Sequence, residues 1–149
     1  QALTTDLFMY LVGNVDYSIV KGEPDEDCCH NSKLLSKKKN EPPYLPVPYD
    51  FDNSGLVNAS YASPNQALGQ RRIRSRIYRG FCRFNEHLPA ALGRLLAARD
   101  ETLALIRDDP IVRNGAKRSA VSYLERLYKQ FDDPKWVDKV PESRCRGRR

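Results

Sequence analysis

Apolar residues recur at helical spacing in three stretches of the chain. In residues 3–12 they fall at positions 3, 7, 8, 11 and 12, and Gly13 follows as a stop signal. Longer amphipathic patterns predict one helix over 87–106 and another over 114–131. A last short helix is expected to run as far as Val140. The chain therefore begins with one helix and ends in a helical region.

Two shorter stretches between these helices are typical of β-strands. His30 to Leu35 begins one strand, and the aromatic and aliphatic run from Tyr44 to Phe51 forms another. Prolines in the second run confine it to a sheet edge or a bulge. The charged, proline-closed stretch from Lys37 to Pro43 is expected to be the tip of the hairpin that joins the two strands.

Charge separates the two parts of the chain. The 149 residues carry a formal net charge of +6, but residues 1–63 hold nine acids and five bases, while residues 64–149 hold twenty bases and ten acids. We expect an α+β fold in a single domain over 1–149, with a small hairpin-and-loop unit in 1–63 followed by a helical unit in 64–149. No apolar run approaches the ~18 residues of a membrane span, so an integral membrane protein is excluded.

The cysteines and the first residue bear on where the protein acts. Four cysteines, with no Cys-x-x-Cys pair and only two histidines, do not suit a zinc site and permit two disulfides. We therefore favour an exported protein, periplasmic or extracellular, over a cytoplasmic one. The adjacent Cys28 and Cys29 are expected to reach separate partners, because a ring between neighbours is strained. A start at Gln1 without leader features indicates a processed protein or the carboxy-terminal part of a longer one, and we favour the second.

An arginine-rich segment spans residues 71–83. Written as a helix, it buries Ile73, Ile77 and Phe81 and surrounds them with arginines. Three interpretations stay open: a solvated helical face, a site for phosphate or an acidic protein partner, and a nucleic-acid surface. Nucleic acid is the least favoured, because the aromatic residues are not arranged as a stacking platform.

Polar residues that can carry chemistry concentrate in the first third of the chain. Asp16 follows the first helix, Asn31 precedes the first strand, and Asp50 and Asp52 end the second strand. This order of elements can bring the residues to one spot. Carboxylates and an amide carbonyl are ligands that Mg²⁺ accepts, and phosphoryl transfer needs a carboxylate that orients the attacking hydroxyl or takes its proton. The hypothesis is a site for a magnesium nucleotide or another phosphorylated ligand.

The motifs Gly-Asn-Val-Asp-Tyr-Ser (13–18), His-Asn-Ser-Lys-Leu-Leu (30–35) and Pro-Tyr-Asp-Phe-Asp (48–52) carry a resemblance. Their order resembles the catalytic segment of the protein-kinase-like fold, in the form found in CotH-type spore-coat kinases and HipA-type kinases. In those proteins Asn-x-Asp is followed by a loop, an Asn, and a hairpin that ends in Asp-x-Asp. Most of residues 8–83 is also similar to a group of bacterial proteins that share these motifs, a likeness that implies no particular activity.

The kinase-like resemblance implies a role for each matching residue. Asp16 would be the catalytic aspartate, Asn31 and Asp50 the metal ligands, Asp52 a second metal contact, and Lys33 a contact to the nucleotide. It implies Mg²⁺ and ATP as cofactors. The acidic loop between Asp16 and Asn31 would be an insertion, since kinases place this Asn about five residues after the Asp. Because no Gly-rich loop or strand lysine is present, the chain would be a carboxy lobe that needs a nucleotide-binding lobe for activity.

Other interpretations of the same residues remain. Asx-turns account for Asn14 and Asp16 after the helix, and for Asp50 and Asp52 after the strand. A glycosidase would use Asp16 with Asp50 or Asp52 as acid and base, although no aromatic sugar platform is evident. The alternative from a different class is a non-enzymatic module whose Arg-rich helical half recognises an anionic partner.

Overall fold

The computed structural model describes residues 1–22, 24–25, 28–39 and 41–147. The chain divides into two compact units, Gln1–Ile77 and Tyr78–Arg149. The expected α+β class is confirmed, because the described residues contain helices together with a small antiparallel hairpin. None of the described helices is long and apolar enough to cross a membrane.

The first helix, α1, spans Ala2–Val12, as the apolar spacing predicts. Its buried leucines, Leu3, Leu7 and Leu11, contribute to the core of the first unit. Gly13 ends the helix at φ 69°, a left-handed conformation that glycine adopts without steric cost. The guanidinium of Arg76 donates two hydrogen bonds, of 3.2 and 3.1 Å, to the carbonyl oxygen of Leu11. These bonds satisfy a carbonyl that the helix end would otherwise leave without a partner.

The hairpin pairs β1 (Ser32–Leu35) with β2 (Leu45–Pro48) in antiparallel register, with Ser32 opposite Pro48 and Leu35 opposite Leu45. The predicted tip is therefore confirmed. The hydroxyl of Thr5 on α1 donates to the carbonyl oxygen of Pro46 at 3.2 Å, so the hairpin is fastened to the first helix.

The second unit is helical. Its helices are α2 (Leu88–Ala97), α3 (Arg99–Arg107), α4 (Asn114–Phe131), α5 (Trp136–Lys139) and α6 (Pro141–Arg144). The prediction for α4 is confirmed, whereas the single helix predicted over 87–106 is wrong. The helix breaks at Ala98, where ψ is 4°. The carbonyl oxygen of Ala98 accepts hydrogen bonds from both the side-chain hydroxyl and the backbone amide of Thr102. Such a side-chain bond to the preceding turn bends helices.

The core of the second unit is built from α2, α3, α4 and the turn that follows α4. The fully or nearly fully buried residues of α4 are Tyr123, Leu124, Leu127, Tyr128 and Phe131. The ring of Phe131 lies 4.6 Å from that of the buried Trp136 in an edge-to-face arrangement. Such aromatic pairs stabilise a core beyond the area they bury.

Two expectations about local structure are wrong. Residues 71–81 do not form a helix. The side-chain amide of Gln70 donates to the carbonyls of Ile73 (3.2 Å) and Ser75 (2.8 Å), which holds this segment in turns. Cys28 and Cys29 do not reach separate partners but are bonded to each other.

The remaining disulfide joins Cys82 to Cys145, both in the second unit. It lies beside a short backbone bridge between Phe81 and Arg146, in which the Cys82 amide donates to the Arg146 carbonyl at 3.0 Å. The bond therefore fastens the end of the described chain to the start of the second unit. A disulfide of this kind is compatible with an oxidising compartment.

Candidate functional site

The carboxylate of Asp16 is the centre of a polar cluster in the first unit. Its Oδ1 lies 2.9 Å from Nε2 of His30, and its Oδ2 accepts hydrogen bonds from the side-chain amides of Asn31 (3.3 Å) and Asn53 (3.1 Å). The side chain keeps 36% of its exposure, so the carboxylate is oriented by the protein and still open to solvent. We call Asp16, His30, Asn31 and Asn53 the Asp16 cluster.

The segment that carries Asp16 is positioned by the end of α1. The Gly13 carbonyl accepts the Gly55 amide at 3.0 Å, which sets residues 13–16 beside the loop after β2. The buried Asn14 braces both sides of this contact. Its side-chain oxygen accepts the Asp16 amide (2.8 Å), and its Nδ2 donates to the Asp50 carbonyl (2.9 Å). The Asx-turn interpretation of Asn14 therefore describes the local geometry correctly and also explains how Asp16 is aimed.

Asn31 lies at the point where the acidic loop enters β1. Its φ of 49° is left-handed, a conformation that Asn tolerates better than most residues. Its Nδ2 donates to the main-chain carbonyl of Asp16 at 2.8 Å as well as to the carboxylate. Because the amide of Tyr49 donates to the Asn31 carbonyl at 3.2 Å, Asn31 and Asp50 belong to the same end of the hairpin. The structure thus brings together two of the predicted site residues, Asp16 and Asn31, across fifteen positions of sequence.

Sequence reasoning assigned no chemical role to His30, yet its ring contacts the central carboxylate. The backbone places it there through two bonds: the Ser18 amide donates to the His30 carbonyl (2.9 Å), and the His30 amide donates to the Lys21 carbonyl (3.2 Å). The side chain is 27% exposed. The sequence did offer one indication of a role for His30, because this residue directly precedes Asn31 in the second motif.

Asn53 is the other member of the cluster that the sequence analysis missed. It lies in the turn after Asp50 and Asp52, where an Asn is ordinary turn chemistry. Only the tertiary pairing of this turn with residues 13–16 reveals its contact with Asp16. No local pattern distinguishes such a residue from any other turn asparagine.

The other predicted site residues lie close by in the chain, with different contacts. Asp50 Oδ1 accepts the backbone amide of Asp52 at 3.2 Å, the bond expected of an Asx-turn. Lys33 is exposed on β1, and its ammonium lies 5.5 Å from the centre of the Tyr49 ring. Within the described residues, no hydrogen bond or ion pair joins Lys33 to Asp16.

The donor chemistry of the hairpin end is compatible with a hard cation. Asn31 directs its amide nitrogen at Asp16, so its Oδ1 points away from that carboxylate. Asp50 supplies a carboxylate at the same end of the hairpin. Among the described residues, no three His, Cys, Asp or Glu side chains are grouped so that they could hold a metal ion. Magnesium in nucleotide sites commonly uses one or two carboxylates, with substrate phosphates and water completing its shell.

No protein family, characterised protein or solved structure matches this chain at a significant level.

Proposed function

We propose that the first unit is the carboxy-lobe part of an atypical kinase-like phosphotransferase that binds a magnesium nucleotide and uses Asp16 as its catalytic carboxylate. The observation that carries this proposal is the pair of hydrogen bonds from Asn31 to the carbonyl and the carboxylate of Asp16. A helix, an aspartate, an asparagine that contacts it, a two-stranded hairpin and a second aspartate follow one another in the order that the kinase-like resemblance implies.

The role of Asp16 follows from how it is held. Phosphoryl transfer to a hydroxyl needs a carboxylate that orients the hydroxyl and accepts its proton, and the orientation must be set before the substrate arrives. The amides of Asn31 and Asn53 fix one oxygen of Asp16, and His30 contacts the other. The remaining lone pairs of a partly exposed carboxylate are the acceptors offered to the substrate hydroxyl.

The proposed metal ligands are Asn31 Oδ1 and the Asp50 carboxylate, with Asp52 as a second contact. When bound, Mg²⁺ would neutralise charge on the nucleotide phosphates. Asn14 keeps Asp50 in place through its main chain, because its Nδ2 donates to the Asp50 carbonyl at 2.9 Å. Lys33 is proposed as the nucleotide contact, because its exposed ammonium lies on the strand that begins after Asn31. Catalysis would further need the Gly-rich loop and the strand lysine of a separate lobe, whereas we assign binding of the magnesium nucleotide to the residues of this chain.

We also propose that this protein is exported. The Cys82–Cys145 disulfide supports an oxidising compartment, in which such a bond persists. An atypical kinase of this kind would act on acceptors outside the cytoplasm.

The test is a nuclear magnetic resonance titration of the 149-residue protein with Mg²⁺ alone, with the β,γ-imido analogue of ATP alone, and with both together. We expect the side-chain amide signals of Asn31 and Asn53 and the backbone signal of Asp50 to shift only when both are present. Asp50→Asn should abolish these shifts, because it removes a charged ligand.

The matched control is Asp138→Asn, which changes a carboxylate of the same type on the exposed face of α5 in the second unit. It should titrate like the parent. Absence of the Mg²⁺-dependent shifts, or shifts that persist unchanged in Asp50→Asn, would contradict the proposed function.

A further inference from the structure

The turn between α3 and α4 exposes large aliphatic side chains. Ile111 is 89% exposed, Leu105 on the last turns of α3 is 75% exposed, and Val112 is exposed beside them. Single exposed aliphatic residues are ordinary, but three in one short region mark a surface that something else covers. We call Leu105, Ile111 and Val112 the α3–α4 tip.

The turn is ordered, so this exposure is built into the fold. Asp109 Oδ1 accepts the backbone amides of Ile111 (2.8 Å) and Val112 (2.9 Å). Pro110, which lies between Asp109 and Ile111, further restricts the backbone of the turn. Because its own backbone is held this tightly, the segment keeps Ile111 at the outer end of the turn rather than folding it back onto α3 or α4.

Basic residues flank the tip on both sides along the chain. A cleft of about 330 Å³ beside it is lined by Arg107, Lys117, Arg118, Asn114 and Val121. Arg107 is paired with Glu125 at 2.9 Å. In the described part of the chain, neither Lys117 nor Arg118 forms an ion pair.

Basic residues outnumber acidic ones along the tip. Four basic and two acidic residues lie between positions 105 and 118. One of the two acids, Asp109, directs its carboxylate at the backbone amides of the turn. Arg107 is engaged by Glu125, and the charge of Lys117 contributes to lowering the pKa of Asp109, but basic residues still outnumber acidic ones along this segment, which favours an anionic partner.

We propose that the α3–α4 tip binds the surface of an anionic phospholipid bilayer. Ile111, Leu105 and Val112 enter the boundary between headgroups and acyl chains, and the cleft of Arg107, Lys117 and Arg118 receives a lipid phosphate. Aliphatic side chains beside cations are the combination that holds peripheral proteins on anionic membranes, since apolar burial and attraction to the negative surface add together.

The shape and composition of the tip favour a bilayer over a macromolecular partner. Stable protein interfaces bury about 800 Å² on each partner and are enriched in aromatic residues. The tip offers three aliphatic side chains, one on the last turn of α3 and two in the turn that follows, and no aromatic residue. The same lack of aromatic side chains removes the base-stacking platform that single-stranded nucleic acid needs.

The test is co-sedimentation of the 149-residue protein with vesicles of phosphatidylcholine, with and without about a third of phosphatidylglycerol, at low and high salt. We expect binding to the anionic vesicles that falls with salt, and little binding to the neutral ones. Ile111→Ser and Lys117→Glu should each weaken it about tenfold or more, the first by removing apolar burial and the second by reversing a charge. Binding that is equal on neutral and anionic vesicles would overturn the proposal.

Matched controls are available in the same chain. Val57→Ser removes an exposed aliphatic residue of the first unit, and Lys135→Glu reverses an exposed charge away from the tip. Both should bind vesicles like the parent protein. If Val57→Ser or Lys135→Glu weakens binding as much as the tip variants do, the tip is not the binding surface.

A second experiment reports which part of the protein contacts the lipid, rather than how tightly the protein binds. Tryptophan placed at position 111 by Ile111→Trp should be quenched by lipids brominated along the acyl chain, whereas Val57→Trp should not. Glycerol phosphate tests whether the cleft binds the phosphate of a membrane lipid or a soluble phosphate compound. If glycerol phosphate saturates the cleft at millimolar concentration while anionic vesicles do not bind, the ligand is a soluble phosphate and the membrane proposal is wrong.

Discussion

The hydrogen bond between Asn53 and Asp16 offers a quantitative test of the Asp16 cluster. The side-chain amide of Asn53 donates to Asp16 Oδ2 at 3.1 Å, across 37 positions of sequence. A double-mutant cycle of Asp16→Ala, Asn53→Ala and the double variant isolates the free energy of this contact from the other contacts of Asp16.

The magnitude follows from the character of the bond and from its exposure. A hydrogen bond to a charged group stabilises a folded protein by about 1.5–3 kcal/mol when it is shielded from water. The Asp16 side chain keeps 36% of its exposure, so water replaces part of the lost bond. We therefore expect a coupling free energy of about 1 kcal/mol.

The assay must report on the first unit alone, because Trp136 lies in the second. Hydrogen exchange of the buried α1 amides, for example those of Leu7 and Met9, meets this need. The matched control is a cycle of Asp16→Ala with Asn65→Ala, since Asn65 bonds to Gln70 and Leu68 instead. That pair should be additive.

A coupling between Asp16 and Asn53 below about 0.3 kcal/mol would refute the reasoning, since that is the scatter expected of independent sites. A coupling as large in the Asn65 control would show that the effect is not specific to the contact.

Three further predictions concern the second unit. Replacing Cys82 and Cys145 by Ser should lower the free energy of unfolding by about 4 kcal/mol, because the disulfide closes a loop of 63 positions, and urea titration followed by Trp136 fluorescence measures it. Burial raises the pKa of Tyr128 above its ordinary value of 10.0, so the stability it contributes is complete below pH 10 and is lost as the pH rises further; Tyr128→Phe should make alkaline unfolding less steep. Hydrogen bonds from the amides of Val112 and Ile111 lower the pKa of Asp109 below 3.8, so its contribution is present above that pH and is lost as the pH falls through the lowered pKa. In an acid titration, the Asp109→Asn variant should not show this loss of stability. An acid unfolding profile like that of the parent protein would contradict the assignment.

Local periodicity explains which elements could be predicted from the sequence. The residues of α4 repeat apolar positions from Val121 to Phe131, and the predicted range of 114–131 coincides with the structure. The hairpin was recognisable because a proline-closed charged tip separates two short strand-like segments, the second of them apolar and aromatic. Both signals lie within one segment, so they need no knowledge of tertiary contacts.

The errors arose where a distant or side-chain contact overrides the local pattern. The arginine-rich segment has helical apolar spacing at Ile73 and Ile77, yet the Gln70 side chain takes backbone acceptors that a helix would use. The break at Ala98 likewise depends on a hydroxyl, that of Thr102, which the apolar pattern does not register. Neither effect changes the hydrophobic periodicity, so periodicity alone could not reveal them.

The residues of the candidate site were likewise predictable only in part. Because Asp16 and Asn31 lie at the ends of neighbouring elements, the order of helix and hairpin was enough to predict that they meet. His30 and Asn53 lie in loops whose positions depend on tertiary pairing, and their contribution became visible only with the coordinates. The metal and nucleotide roles of Asp50, Asp52 and Lys33 stay predictions.

The Asp16 cluster depends on how α1 packs against the hairpin. Asp16 follows the end of α1, whereas Asn31 begins the hairpin, so the distance between them is set by the packing of these two elements. A hydrogen bond from the Thr5 hydroxyl to the Pro46 carbonyl joins them directly, and Pro46 has no amide of its own to offer that edge. Thr5 is buried and lies about two helical turns before the end of α1, yet its bond aligns the helix that aims the carboxylate. A change at Thr5 is therefore expected to disturb the contact between Asp16 and Asn31 although it touches neither residue, and the geometry of the cluster belongs to the whole first unit rather than to the three motifs.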